Sequence, residues 1–159
     1  MKNRKGKIMS DEVSEPLAKV TYHWPVLAVS NLEATSQWYN EQLGFKEVFR
    51  KDRPDYGTKI MIMESDDIRI ELIEDQKLQP LKRSDPPQHT HLGGVSQIAF
   101  KVRDIQTVMD RVKSRSIQIS WDLQVWDYLG FKVAFIRDNE GNIIELVETF
   151  DPPSGGRRF

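Results

Sequence analysis

Two glutamates of this chain sit in closely matching settings. Ile68-Arg69-Ile70-Glu71-Leu72-Ile73-Glu74 and Asn142-Ile143-Ile144-Glu145-Leu146-Val147-Glu148 each embed a carboxylate in an apolar run. Read as strands, these segments send alternate side chains to opposite faces. Ile70 and Leu72 then oppose Arg69, Glu71 and Ile73, while Ile144 and Leu146 oppose Ile143, Glu145 and Val147. A carboxylate flanked by apolar neighbours needs a cation, hydrogen-bond donors or water, because burying it alone is costly. The same alternation puts Gln97, Ala99 and Lys101 on the face opposite Ile98, Phe100 and Val102, and puts Trp24, Val26 and Ala28 opposite Leu27 and Val29. Arg69 and Lys101 offer ordinary salt-bridge partners to the glutamates, and Gln97 an ordinary hydrogen bond across a cavity. His23, next to Trp24, falls on the other face by alternation. His89 and His91 form only a weak two-residue metal pattern in a Pro-rich stretch and are expected to be solvent-facing loop residues. Trp121, Trp126, Tyr128 and Phe131 are interleaved with Asp122, Gln124 and Asp127, a mixture that suits a pocket wall or rim. With no cysteine in the chain, disulfides, thiolate zinc sites and a cysteine nucleophile are excluded.

The elements that must position these residues come in duplicate. Val29, Asn31 and Leu32 match Val102, Asp104 and Ile105 at an offset of 73, and the two glutamate segments match at an offset of 74. Two matches at nearly equal offsets, at corresponding ends, argue for a repeated module. Each module reads as strand, helix and three strands. In the first, Ser30 or Asn31 caps a helix whose Leu32, Thr35, Tyr39 and Leu43 share a face, with Gly44 as its C′ residue. Strands are expected over Phe45–Arg50, Lys59–Met63 and Ile68–Glu74. In the second, Asp104 caps a helix with Ile105, Val108, Met109 and Val112 on one face. Strands are expected over Gln118–Trp121, Lys132–Ile136 and Ile143–Val147. Asp138 to Asn142 reads as a turn in which Gly141 takes positive φ. The expected organisation is a tail over 1–20, one domain over 21–149 and a tail over 150–159. Within the domain lie module one (21–74), a linker (75–94) and module two (95–149).

The chain has 159 residues, a length that fits one ordinary domain. Its 23 Lys+Arg nearly cancel 24 Asp+Glu, and its pI is about 6.3, so the basic face of a nucleic-acid binder is not expected. Hydrophobic residues at 38% support a packed core rather than global disorder. No apolar run approaches the roughly 20 residues that span a bilayer, and the basic start lacks the apolar stretch of a secretory signal. A cytoplasmic protein with no membrane partner is the expectation. No phosphate loop or nucleotide fingerprint is present, so no nucleotide cofactor is implied.

The order of these segments resembles the vicinal oxygen chelate superfamily, which includes glyoxalase I, ring-cleaving dioxygenases, methylmalonyl-CoA epimerase and bleomycin-resistance proteins. The resemblance is carried by Val29-Ser30-Asn31-Leu32, Trp38-Tyr39-Asn40-Glu41-Gln42-Leu43-Gly44-Phe45, Gly93-Gly94-Val95-Ser96-Gln97-Ile98-Ala99-Phe100 and Asp138-Asn139-Glu140-Gly141-Asn142-Ile143-Ile144-Glu145-Leu146. It covers residues 21–149. It implies an α+β fold of two tandem βαβββ modules forming a curved half-open sheet around a central cavity, and a homodimer. It also implies four cavity positions that commonly hold a divalent metal, here Trp24, Glu71, Gln97 and Glu145. Indole only donates, so the first position departs from the pattern. Proline in a strand often accompanies a bulge. A bulge at Pro25 would turn His23 inward and complete a site of His23, Glu71, Gln97 and Glu145. Two functions follow from the resemblance. One is a metal-dependent lyase, isomerase or epimerase acting on a small substrate with vicinal oxygens, with Glu145 or Glu71 moving the proton. The other is a metal-free binding protein for aromatic compounds or drugs, of the bleomycin-resistance type. In either, Trp24, Arg69, Lys101, Trp121, Trp126 and Tyr128 are the expected pocket residues.

Overall fold

The computed structural model describes Leu17, Ala18, Val20 and residues 22–150. The expected tails therefore lie largely outside the described residues. Module one contains β1 (Val26–Val29), α1 (Leu32–Leu43), β2 (Lys46–Arg53), β3 (Thr58–Ser65) and β4 (Ile68–Asp75). Module two contains β5 (Ile98–Lys101), α2 (Ile105–Ser114), β6 (Ile119–Trp126), β7 (Phe131–Arg137) and β8 (Ile143–Thr149). Two short 3₁₀ turns, Pro54–Tyr56 and Gln88–His91, punctuate the connections. Each module forms a four-stranded open sheet, ordered β1-β4-β3-β2 and β5-β8-β7-β6. β1 runs parallel to β4 and β5 parallel to β8, the other pairs being antiparallel. The fold is thus the α+β pair of βαβββ modules expected from the sequence, with the sheets curving as a half-open shell. No helix among the described residues is long and apolar enough to cross a membrane.

The repeat persists at the level of single residues. Val26 pairs with Glu71 across β1 and β4, and Ala99 pairs with Glu145 across β5 and β8. Asn31 Oδ1 accepts the Ala34 N–H at 2.9 Å and Asp104 Oδ1 accepts the Thr107 N–H at 3.3 Å, satisfying an orphan donor at the start of each helix. A second device is also duplicated. Glu74 accepts the Leu32 N–H at 2.8 Å and the Lys59 ammonium at 2.7 Å. Glu148 accepts the Ile105 N–H at 2.7 Å and the Lys132 ammonium at 2.6 Å. Both carboxyls are held below the usual range, first by the lysine and then by the helix N–H.

The helices pack their apolar faces onto the sheets, and one core runs through both modules. Leu32, Tyr39, Met61, Met63, Ile70 and Leu72 from module one join Ile105, Met109, Ile144 and Leu146 from module two. The Phe45 and Phe100 rings meet at 5.8 Å across the boundary. A polar clasp adds to this join. Glu140 Oε1, in the β7–β8 turn, accepts the Ser30 N–H (3.0 Å), the Ser30 hydroxyl (2.9 Å), the Asn31 N–H (3.2 Å) and the Thr35 hydroxyl (3.2 Å). The buried Tyr39 hydroxyl donates to Asp138 Oδ2 at 3.0 Å. Burial raises the Asp138 carboxyl above the usual range, and burial together with that neighbouring carboxylate raises the Tyr39 phenol. Gly141 has φ 85 and lets the turn close so that Asp138 Oδ1 accepts the Glu140 and Asn142 N–H groups at 2.9 and 2.8 Å.

Several strands run a few residues beyond the expected bounds, β2 to Arg53 and β3 to Ser65 among them, and two further differences concern β6 and the linker. β6 extends to Trp126 rather than ending at Trp121, because register shifts at Trp121 and Gln124 break the simple alternation. The linker is also not uniform coil, since it contains the 3₁₀ turn at Gln88–His91.

Candidate functional site

The face of each sheet opposite its helix carries the residues of interest. Ile70 and Leu72 are fully buried on the helix side of β4, which turns Arg69, Glu71 and Ile73 away from it. Ile144 and Leu146 do the same on β8, so Glu145 projects beside Ile143 and Val147. Between β1 and β5 lies a cleft of about 350 Å³, bordered by Val26, Ala28, Leu81, Gln97, Ile98 and Asn142.

At the module-one end, the Trp24 indole N–H donates to Glu71 Oε2 at 3.1 Å. The Arg69 guanidinium lies 5.5 Å from the Trp24 ring centroid, within cation–π range, and also pairs with Glu64. The Tyr22 ring flanks the indole at 5.7 Å. Trp24 is 38% exposed. His23, offered as a ligand if Pro25 bulged, is exposed. The β1–β4 register runs without a shift, and the Pro25 carbonyl accepts the Glu71 N–H at 3.0 Å just before β1. Of the two neighbours, it is Trp24 that reaches Glu71, through its indole N–H.

At the module-two end, Gln97 Nε2 donates to Glu145 Oε2 at 3.3 Å. Gln97 Oε1 lies beside the Ser96 hydroxyl and 3.1 Å from His89 Nε2. A carboxylate only accepts, so the amide NH₂ faces Glu145 and the amide carbonyl faces the imidazole, which must carry its proton on Nε2. His89 is 6% exposed, not the solvent-facing loop residue expected, whereas His91 is exposed. His89 Nδ1 is buried without a partner among the described residues, which costs about 1–3 kcal/mol. The imidazole rests edge-on against Phe135 at 5.7 Å. Trp121 stacks on the same Phe135 ring at 5.9 Å and 21°, and Trp126 meets Trp121 at 6.3 Å. With Val133, Ile143, Phe131 and Val147 these rings form a second apolar cluster, separate from the main core.

Two arginines fasten the segment that delivers His89. Arg137, 8% exposed, donates to Asp85 Oδ1 at 2.7 Å and to the Arg83 carbonyl at 2.9 Å. Its guanidinium holds the Asp85 carboxyl below the usual range. Arg83 in turn donates to the carbonyls of His89 (3.1 Å), Leu92 (2.7 Å) and Gly93 (3.0 Å). Pro and Gly mark this stretch as irregular in the sequence; the arginine contacts, which carry no periodic signal, make it a fixed strap.

The residues named from sequence thus come together in two pairs, Trp24 with Glu71 and Gln97 with Glu145. Trp121 and Trp126 line the aromatic wall near the second pair. Lys101 is exposed, and Tyr128 is 78% exposed in the β6–β7 turn. Among the described residues, no three His, Asp or Glu side chains stand together as a group able to hold a metal ion. An indole N–H occupies the first of the four expected ligand positions, and each glutamate takes a neutral donor instead. This donor set does not fit a preformed divalent site.

The comparisons with known proteins agree with this fold. The chain is 29% identical over 128 residues to an ethylmalonyl-CoA/methylmalonyl-CoA epimerase of Cereibacter sphaeroides, covering 76% of this chain and 91% of the relative. A glyoxalase family protein from Enterococcus faecalis superimposes with a TM-score of 0.67 at 28% identity, over 82% of this chain and 98% of that one. A fosfomycin resistance protein from Listeria monocytogenes shares the fold with a TM-score of 0.64 at 14% identity, over 84% of this chain and 96% of that one. A family model matches residues 21–146, and the chain belongs to the Glyoxalase/Bleomycin resistance protein/Dioxygenase superfamily.

Proposed function

We propose that this chain is a metal-free binding protein for a planar aromatic small molecule that carries hydrogen-bond donors. The observation that carries this reading is the Trp24 indole bonded to Glu71, a donor standing where an electron-pair ligand would be needed. The half-exposed wall of Trp121 and Trp126 offers stacking area. Glu71 Oε1 and Glu145 Oε1 take no hydrogen bond among the described residues and serve as acceptors. Proflavine, a planar tricyclic cation with two amino groups, is a suitable probe: it should quench tryptophan fluorescence saturably. Mn²⁺, Ni²⁺ and Zn²⁺ should leave the thermal midpoint unchanged. Non-saturable quenching, or a midpoint raised by a divalent ion, would count against this reading.

The epimerase relative supports a second reading, proton transfer next to the carbonyl of an acyl thioester with Glu145 as the base. Incubation with methylmalonyl-CoA in deuterated water tests it, because loss of the C-2 proton signal by NMR requires that transfer. We also infer a homodimer. β2 is an edge strand along which Val48 and Phe49 are exposed, a surface that association would cover. Sedimentation at micromolar concentration showing only an 18.5 kDa species would contradict it.

A further inference from the structure

We propose that His89 is a positioning residue of the module-two site: beside the Ser96 hydroxyl it holds the carbonyl end of the Gln97 amide in place, and through the amide NH₂ the Glu145 carboxylate, so that this end of the site presents an acceptor to a ligand. The inference rests on the binding reading above for its ligand, but not for its geometry.

The two ends of a glutamine amide are nearly the same size and opposite in polarity, so an unconstrained amide can turn either way. His89 Nε2 lies 3.1 Å from Gln97 Oε1, and the Gln97 nitrogen lies 3.3 Å from Glu145 Oε2. The accept-only carboxylate selects the NH₂ end, and an imidazole donating from Nε2, with the Ser96 hydroxyl beside it, engages the carbonyl end and so restrains the amide from its far side. The ring is almost wholly buried, so bulk water competes poorly for that bond. Its backbone is tied by Arg83, and Arg83 by the buried Arg137, so the imidazole is held from behind as well as at its tip. Among the described residues module one has no imidazole behind its donor. An indole only donates, so Trp24 presents a single polarity to Glu71, with Arg69 and Tyr22 against its ring.

The test uses the full chain labelled with ¹⁵N. The Gln97 side-chain NH₂ is assigned by its absence in Gln97→Leu, and its hydrogen exchange is followed. His89→Phe keeps a ring against Phe135 but has no donor, and it should speed that exchange about tenfold; His89→Gln, whose amide N–H reaches the same oxygen, should return it to within about twofold of wild type. Unchanged exchange in a folded His89→Phe chain would overturn the proposal, because a purely packing role predicts that result. A second measurement needs no variant: the wild-type imidazole should carry a proton on Nε2, and a bare Nε2 overturns the assignment. Proflavine binding should weaken in His89→Phe and recover in His89→Gln. If the wild type binds no proflavine while the Gln97 exchange still responds, the binding reading fails and the positioning role stands.

Discussion

The two modules hold the same carboxylate in the same register and satisfy it with chemically different donors. Glu71 receives an indole N–H, fixed in polarity and carried by a ring 38% exposed to solvent. Glu145 receives an amide N–H, reversible in polarity and backed by a buried imidazole from the linker. Duplication supplied two equal frames, and the divergence is confined to what fills them. The difference teaches that a one-way donor can stand near the surface, whereas the amide has a second end, which is engaged here by Ser96 and by a histidine delivered on an anchored segment. It also explains why the linker, which belongs to neither repeat, is bound so firmly to β7.

The largest expected effect comes from removing the wall on one side only. Phe135 pairs with Glu145 as Ile62 pairs with Glu71, but only Phe135 is buried, beneath both Trp121 and His89. Phe135→Ala should lower the unfolding free energy by about 3–5 kcal/mol, and Ile62→Ala by clearly less, in denaturant titrations. Equal losses would mean that the two faces are energetically alike.

Next in size is the join between modules. Tyr39→Phe leaves the buried Asp138 without one of its donors, at a cost of about 1–3 kcal/mol. Thermal unfolding at neutral pH reads that loss, and an unchanged midpoint would show that water replaces the hydroxyl.

The donors themselves should matter to binding more than to folding. Trp24→Phe and Gln97→Leu each remove one hydrogen bond to a carboxylate, and each should weaken proflavine binding about tenfold. Weakening by Trp24→Phe alone would assign the ligand to the module-one end.

The smallest effect is expected where the modules are most alike. Glu74 and Glu148 both have carboxyls depressed by a lysine and a helix N–H. A folded-state value below the unfolded one adds stability that is present above the unfolded value, near 4.5, and is lost as pH falls through the folded value. Glu74→Gln and Glu148→Gln should therefore each flatten the acid limb of a stability–pH curve below about pH 4.5, by similar amounts. A marked inequality would show that the apparent symmetry of the two clamps is not energetic.

Much of the frame was legible because it rests on periodic signals. The offsets of 73 and 74 carried over into the paired registers of Val26 with Glu71 and Ala99 with Glu145. Caps and turn residues were readable because Asn31, Asp104 and Gly141 act locally. Alternation also placed Trp24 on the inward side, with the Pro25 bulge as the alternative. His89 was not legible. It is delivered by an irregular segment, and its burial depends on Arg83 and Arg137, one of them more than 40 residues away in sequence. The length of β6 escaped for a related reason, since bulges erase the two-residue period that reveals a strand.

The clasp at Glu140 bears on how the molecule comes apart. Among the described residues the two sheets share no strand pairing, so no backbone ladder transmits unfolding from one to the other. What links them is the common side-chain core and a few polar contacts, among them the Tyr39–Asp138 bond and the Glu140 carboxylate seated on the first turn of α1, which bridges residues 110 positions apart. Contacts of such high sequence separation form late, after local structure has made the loop closure worthwhile. Each module is therefore expected to gain its own sheet first in folding, with the clasp closing last and all-or-none behaviour depending on a few side chains at the seam.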